Sequence, residues 1–205
     1  MTFSLLTIIL IVTVIVSLRA MNDNNLKEKM MFIPYLCKHE NQSYRIFSHI
    51  LIHADIPHLL FNMMSFYFLG KILEIELISK YGFFQGELHF LIIYLLGAMF
   101  ATIIPFARHH DHSHYRSLGA SGAVSAIIFA FILWNPTVEL SLMFIPIPIP
   151  AYLFGALYLG FEYYMDKKGN TGIAHDAHLG GAIFGVLYIL IINIEKGKDL
   201  LNLFF

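Results

Sequence analysis

The sequence predicts an all-α polytopic membrane protein with six transmembrane helices, and three observations carry that expectation. Of 205 residues, 58% are hydrophobic and only 13% charged, where a soluble domain has roughly a quarter of its residues charged. Mean hydropathy is +0.68. The apolar residues also gather in six runs, separated by stretches whose Gly, Pro and charge end helices. A formal charge of −1 gives no support to nucleic-acid binding, and the lone Cys37 permits no internal disulfide.

The first run, Thr2 to Leu18, precedes Arg19. It lacks the leading positive charge of a signal peptide and reads as a retained helix at the short end of the spanning range. A polar stretch of mixed charge, Asn22 to Arg45, follows. Further spans are placed at Pro57–Ser79, Leu88–Ala107, Leu118–Trp134, Ala151–Met165 and Ile173–Ile194. The breaks between them are "YGFFQGE", "RHHDHSHYR", "NPTVE" through "PIPIP", and "DKKGNTG". No linker or internal repeat divides the chain, so residues 1–205 are expected to form one membrane domain.

The fourth span is short. Its apolar part, Gly119 to Trp134, has sixteen residues, roughly 24 Å against roughly 30 Å of hydrocarbon. One end must lie below the membrane surface unless the bilayer thins. Backbone at that depth needs protein or a water-filled cavity to satisfy it. The Gly119-Ala120-Ser121-Gly122 start points to the N-terminal end.

Taken alone, Ser121 reads as a helix cap or a packing residue. His178 changes that reading. It stands one turn inside the sixth span, with Gly181 and Gly185 three and seven residues beyond it, a stripe that lets a neighbouring helix approach closely. A neutral imidazole within hydrogen-bond reach takes the Ser121 proton and returns it to a leaving amine. A third group to orient the base is not required in principle. His175 lies one turn earlier on the same side and reads mainly as a packing residue, whereas Asp176 faces away from His178. No buried carboxylate is expected inside the spans.

A second polar cluster opens the second span. Pro57 suits the first position of a helix, which puts His58 and Asn62 on one face. Such groups are costly in hydrocarbon unless turned inward. They are candidate donors to an oxyanion, beside a backbone N–H near Ser121 and the positive end of its helix; interhelical hydrogen bonding alone is the alternative. His49 and His53 have helical metal-ligand spacing. No HExxH, nearby cysteine or inner-face carboxylate accompanies them, so no metal and no other cofactor is expected. The histidines of "RHHDHSHYR" read as a wet loop.

Three patterns, "HADIPHLLFN" (His53–Asn62), "GASG" (Gly119–Gly122) and "AHLGGAIFG" (Ala177–Gly185), occur in an order that resembles the rhomboid family of intramembrane serine proteases, over about Tyr44 to Ile191. The resemblance implies a six-helix rhomboid-like bundle, multi-pass in the cell (inner) membrane, with a cytoplasmic N-terminus and a water-filled cavity opening outward. It implies Ser121 as nucleophile, His178 as general base, and His58, Asn62 and the Ser121 N–H as oxyanion donors. Substrates would be transmembrane proteins entering between the second and fifth spans; oligomeric state is left open. Tyr44-Arg45 lies where the family usually has a Trp-Arg pair.

Two features depart from the pattern. Ser125 occupies the place of a tyrosine that stacks on the catalytic imidazole in the family. Lys and Arg number nine on the loops that would lie outside, against Lys71, Lys80, Lys196 and Lys198 inside, opposite to the positive-inside bias. The alternative function is a catalytically silent relative that binds transmembrane segments.

Overall fold

The computed structural model describes residues 4–142, 145–169 and 172–205. Six helices form the bundle among the described residues: α1 (Leu5–Met21), α2 (Ile56–Tyr81), α3 (Phe83–Ala101), α4 (Ser121–Trp134), α5 (Ala151–Lys168) and α6 (His175–Ile192). After a break at Thr102, a short helix, Ile103–His109, prolongs α3. Residues 2 and 3 of the expected first span, and 170–171 of the expected last break, lie outside the described residues.

Among the described residues, three stretches, not six, are long and apolar enough to cross a membrane: Ile56–Tyr81, Phe83–His109 and His175–Ile192. Helices α1 and α4 are apolar but shorter. Helix α5 carries Glu162, Asp166, Lys167 and Lys168 within its length. The third helix starts at Phe83 rather than Leu88, because Gly82 alone makes the turn out of α2, at a φ of 83° that suits glycine. A two-stranded antiparallel sheet, β1 (Glu139–Leu142) with β2 (Ile145–Pro150), departs from the all-helical expectation. Prolines at every second position of β2 keep the missing N–H groups on one edge.

Helix α4 is the axis of the bundle. All thirteen residues from Gly122 to Trp134 are buried, as a helix apolar all round requires. Its fourteen residues measure only about 21 Å. Small residues let α6 lie against it: a Cβ on Gly181 would overlap the Gly122 carbonyl oxygen, and one on Gly185 the Ala126 carbonyl oxygen.

Helix α1 runs beside α2, with its start on two carboxylates. The Leu6 N–H donates to Glu74 Oε1 at 2.9 Å, and the Leu5 N–H to Glu87 Oε1 at 3.4 Å. Glu74 is fully buried, which corrects the expectation of no buried carboxylate inside the spans. Its charge is offset by Lys71 Nζ at 2.8 Å and by the positive end of α1.

The polar stretch between α1 and α2 is folded. It contains short helices at Asn24–Met30, Pro34–His39 and Arg45–Ser48. Arg45, buried to 5% exposure, donates to the carbonyls of Glu28 and Met31, both at 2.8 Å, and to Gln42 Oε1 at 2.7 Å. Its guanidinium lies 5.4 Å from the centre of the Tyr44 ring. Phe32 and Ser117 exchange N–H···O bonds of 2.9 and 3.0 Å, tying this layer to the strand of chain that enters α4.

Candidate active site

Backbone hydrogen bonds place the entry to α4. The Gly119 N–H donates to the His49 carbonyl at 3.0 Å, and the Ala120 N–H donates to His53 Nε2 at 3.3 Å. Because Nε2 accepts, the His53 proton sits on Nδ1 and is donated to Ser17 Oγ at 2.9 Å; the Ser17 hydroxyl in turn donates to the Leu51 carbonyl at 2.9 Å. This buried Ser17–His53 hydrogen bond is of the kind a catalytic pair makes. Its protons run from imidazole to hydroxyl to carbonyl, however, so His53 is not the base of Ser17 but a strut under Ala120.

Neither His49 nor His53 shares the helical face that their spacing suggested. A 3-10 turn, His49–Leu51, and an extended Ile52 (φ −125°, ψ 148°) separate them. His49 Nδ1 donates to the Arg45 carbonyl at 2.9 Å. Burial lowers the pKa of His49 to about 4 and that of His53 to about 3, so both are neutral near pH 7.

Gly119 passes beneath His58 and Asn62. A Cβ at Gly119 would lie 2.8 Å from His58 Cε1 and 3.9 Å from Asn62 Nδ2, and its φ is 120°, so only glycine fits. His58 and Asn62 are fixed by the start of α2, where the Asp55 carboxylate caps the helix by accepting the His58 N–H at 2.8 Å. The His58 ring meets His53 edge-on, with centroids 4.9 Å apart. Asn62 Nδ2 is buried without a hydrogen-bond partner among the described residues. Ser121 is the first residue of α4; the cap position is Ala120, and no side chain closes that helix end. No side chain takes up the first-turn N–H groups of that helix among the described residues.

His178 arrives on α6. The carbonyl of its neighbour Ala177 would be 3.5 Å from a Cβ on Gly122, and Gly181, one turn on, lies against the Gly122 backbone. His58 and His178 are near enough to interact electrostatically. Contacts thus join His58 and Asn62 to Gly119, and the His178 turn to Gly122, with Ser121 between those glycines in the chain.

A carboxylate absent from the sequence-based reading completes the cluster. Glu162 of α5, 4% exposed, accepts from His175 Nδ1 at 2.5 Å. The same Oε2 stands 3.1 Å from His178 Nδ1, which has no aligned hydrogen-bond partner. One turn before it, Tyr158 Oη lies 3.2 Å from Ser125 Oγ. One turn after it, Asp166 accepts from Arg108 at 2.8 Å, and Arg108 also reaches Asp176 at 3.2 Å. Tyr158, Glu162 and Asp166 form a stripe at four-residue steps; that spacing was the available signal.

Glu162, His175 and His178 bring three ligand atoms within 4.8 Å of one another. The 2.5 Å separation of His175 Nδ1 and Glu162 Oε2 is shorter than the about 3.3 Å between two ligands of one tetrahedral zinc ion with bonds near 2.0 Å. The arrangement fits a shared hydrogen-bonding carboxylate.

Residues 40–194 match the rhomboid domain family. The chain is 34% identical over 161 residues to "RHOMBOID-like protein 12, mitochondrial" of Arabidopsis thaliana, covering 71% of this chain and 45% of that protein. It is 28% identical over 167 residues to "Rhomboid protease GluP" of Bacillus subtilis (strain 168), covering 80% of this chain and 29% of that protein. With "Presenilin-associated rhomboid-like protein, mitochondrial" of Homo sapiens it shares 27% identity over 115 residues, covering 51% and 28%. The chain thus spans less than half the length of each of these relatives.

Proposed function

The chain belongs to the rhomboid family, and from that premise we propose that it is an intramembrane serine endopeptidase, a single domain with six transmembrane helices that cleaves other membrane proteins in or near their transmembrane segments. Ser121 attacks the scissile carbonyl while His178 takes its proton. The Asn62 amide, His58 and the N–H groups opening α4 hold the oxyanion. His178 then protonates the leaving amine, and water releases the acyl-enzyme.

The observation that carries this reading is the buried, unpartnered Asn62 amide beside Gly119. A buried donor left unpaired is costly, and a developing oxyanion at the open end of α4 satisfies it. A helical substrate bond is covered and its carbonyl already hydrogen-bonded, so local unwinding comes first, favoured by Gly or a polar residue in the substrate.

The test is cleavage of a reconstituted transmembrane reporter. Ser121→Ala and His178→Ala should each abolish turnover while leaving the fold intact. Full turnover by Ser121→Ala would end the serine mechanism.

A further inference from the structure

We infer that Glu162 is a positioning residue for the reaction: delivered by α5, its carboxylate holds the Nδ1–H of His178 and so turns Nε2 toward Ser121. This rests on the protease reading above.

Glu162 is 4% exposed, and a buried carboxylate persists only where donors meet it. The imidazoles of His175 and His178 flank its Oε2, at 2.5 and 3.1 Å. The short bond to His175 leaves Glu162 little freedom and makes His175 an Nδ1–H tautomer, and the same oxygen beside His178 Nδ1 favours a proton there too. For His178 that tautomer leaves the Nε2 lone pair to accept the hydroxyl proton. A carboxylate on Nδ1 then stabilises the imidazolium that forms. The 3.1 Å contact is within reach but not aligned; catalytic hydrogen bonds of this kind tighten when substrate binds.

No described side chain makes an aligned hydrogen bond to His178 Nδ1, and Glu162 is the carboxylate beside it. Ser125, four residues after Ser121, has no ring to stack on the imidazole, and its Oγ is engaged with Tyr158 at 3.2 Å. Asp176, nearest in sequence, is turned to Arg108. The base is therefore oriented from α5, the helix whose Tyr158 also touches α4. Helix α5 must be seated for His178 to be poised.

The experiment compares the full chain with Glu162→Gln and Glu162→Asp on the transmembrane reporter. Glu162→Gln keeps the size and removes the charge; kcat should fall about 100-fold or more, KM should stay within about twofold, and Glu162→Asp should recover part of the loss. An unchanged kcat, or a KM effect alone, overturns the proposal. Ring 15N NMR of the unsubstituted protein, with a His178→Asn variant for assignment, provides a reading that needs no Glu162 variant to fold: Nδ1 of His178 should carry the proton, and protonation on Nε2 instead overturns the proposal. If Ser121→Ala cleaves like the parent chain, the protease reading itself fails. If Ser121→Ala is inert and Glu162→Gln is not impaired, only the role of Glu162 fails.

Discussion

Gly181 of α6 rests on the carbonyl oxygen of Gly122 of α4, with no room for a single added carbon between them. This contact sets the separation of the two helices one residue after Ser121 and three after His178. A methyl at Gly181 must push the helices apart, at roughly 1–3 kcal/mol for overpacking. The intrinsic helix preference for Ala over Gly returns at most about 1 kcal/mol. Gly181→Ala should therefore lower the thermal unfolding midpoint and cut reporter cleavage. A variant with both unchanged would show that the helices are not set by this contact.

Asn62→Ala removes the unpaired amide near Gly119. The expected loss is about 10-fold to 1000-fold in kcat, as for a missing oxyanion donor, with no hydrogen bond of Nδ2 lost from the fold. Steady-state kinetics on the reporter reads this directly. An unchanged kcat would reduce Asn62 to packing.

Arg45 holds the layer between α1 and α2 through the Glu28 and Met31 carbonyls and Gln42. Arg45→Ala leaves these acceptors unpaired, at roughly 1–3 kcal/mol for each one that stays buried. Limited proteolysis should then cut within residues 22–55 much faster than in the parent chain. Equal protection would mean that the layer is held by other contacts.

Acid should destabilise the fold through His49 and His53. Burial puts their folded pKa values at about 4 and about 3, below the ordinary 6.5. Between those values the unfolded chain binds more protons than the folded one, so stability rises with pH. The contribution is fully present above pH 6.5 and is lost as pH falls toward 4 and then 3. Thermal unfolding across that window should show a falling midpoint, with a shallower slope in His53→Gln. A midpoint rising on acidification would contradict this.

Family membership was legible because its three patterns each lie within a few turns of one helix, and the rhomboid match over residues 40–194 bears out the resemblance drawn from them. Glu162 was not legible in the same way. Its partners lie thirteen and sixteen residues on and on another helix, so no spacing along one helix pairs it with them. The His49–His53 spacing misled because a 3-10 turn advances the chain differently from an α-helix. The strand pair Glu139–Leu142 and Ile145–Pro150 was hidden behind alternating prolines, which end helices but tolerate an edge strand.

The proposed reaction requires an activated hydroxyl at the start of α4. Treatment of the purified protein with a fluorophosphonate probe, followed by mass mapping of the adduct, tests it most directly. One covalent adduct on Ser121 is expected, abolished in Ser121→Ala and strongly reduced in His178→Ala. Labelling that persists in Ser121→Ala, or maps to Ser17, would contradict it.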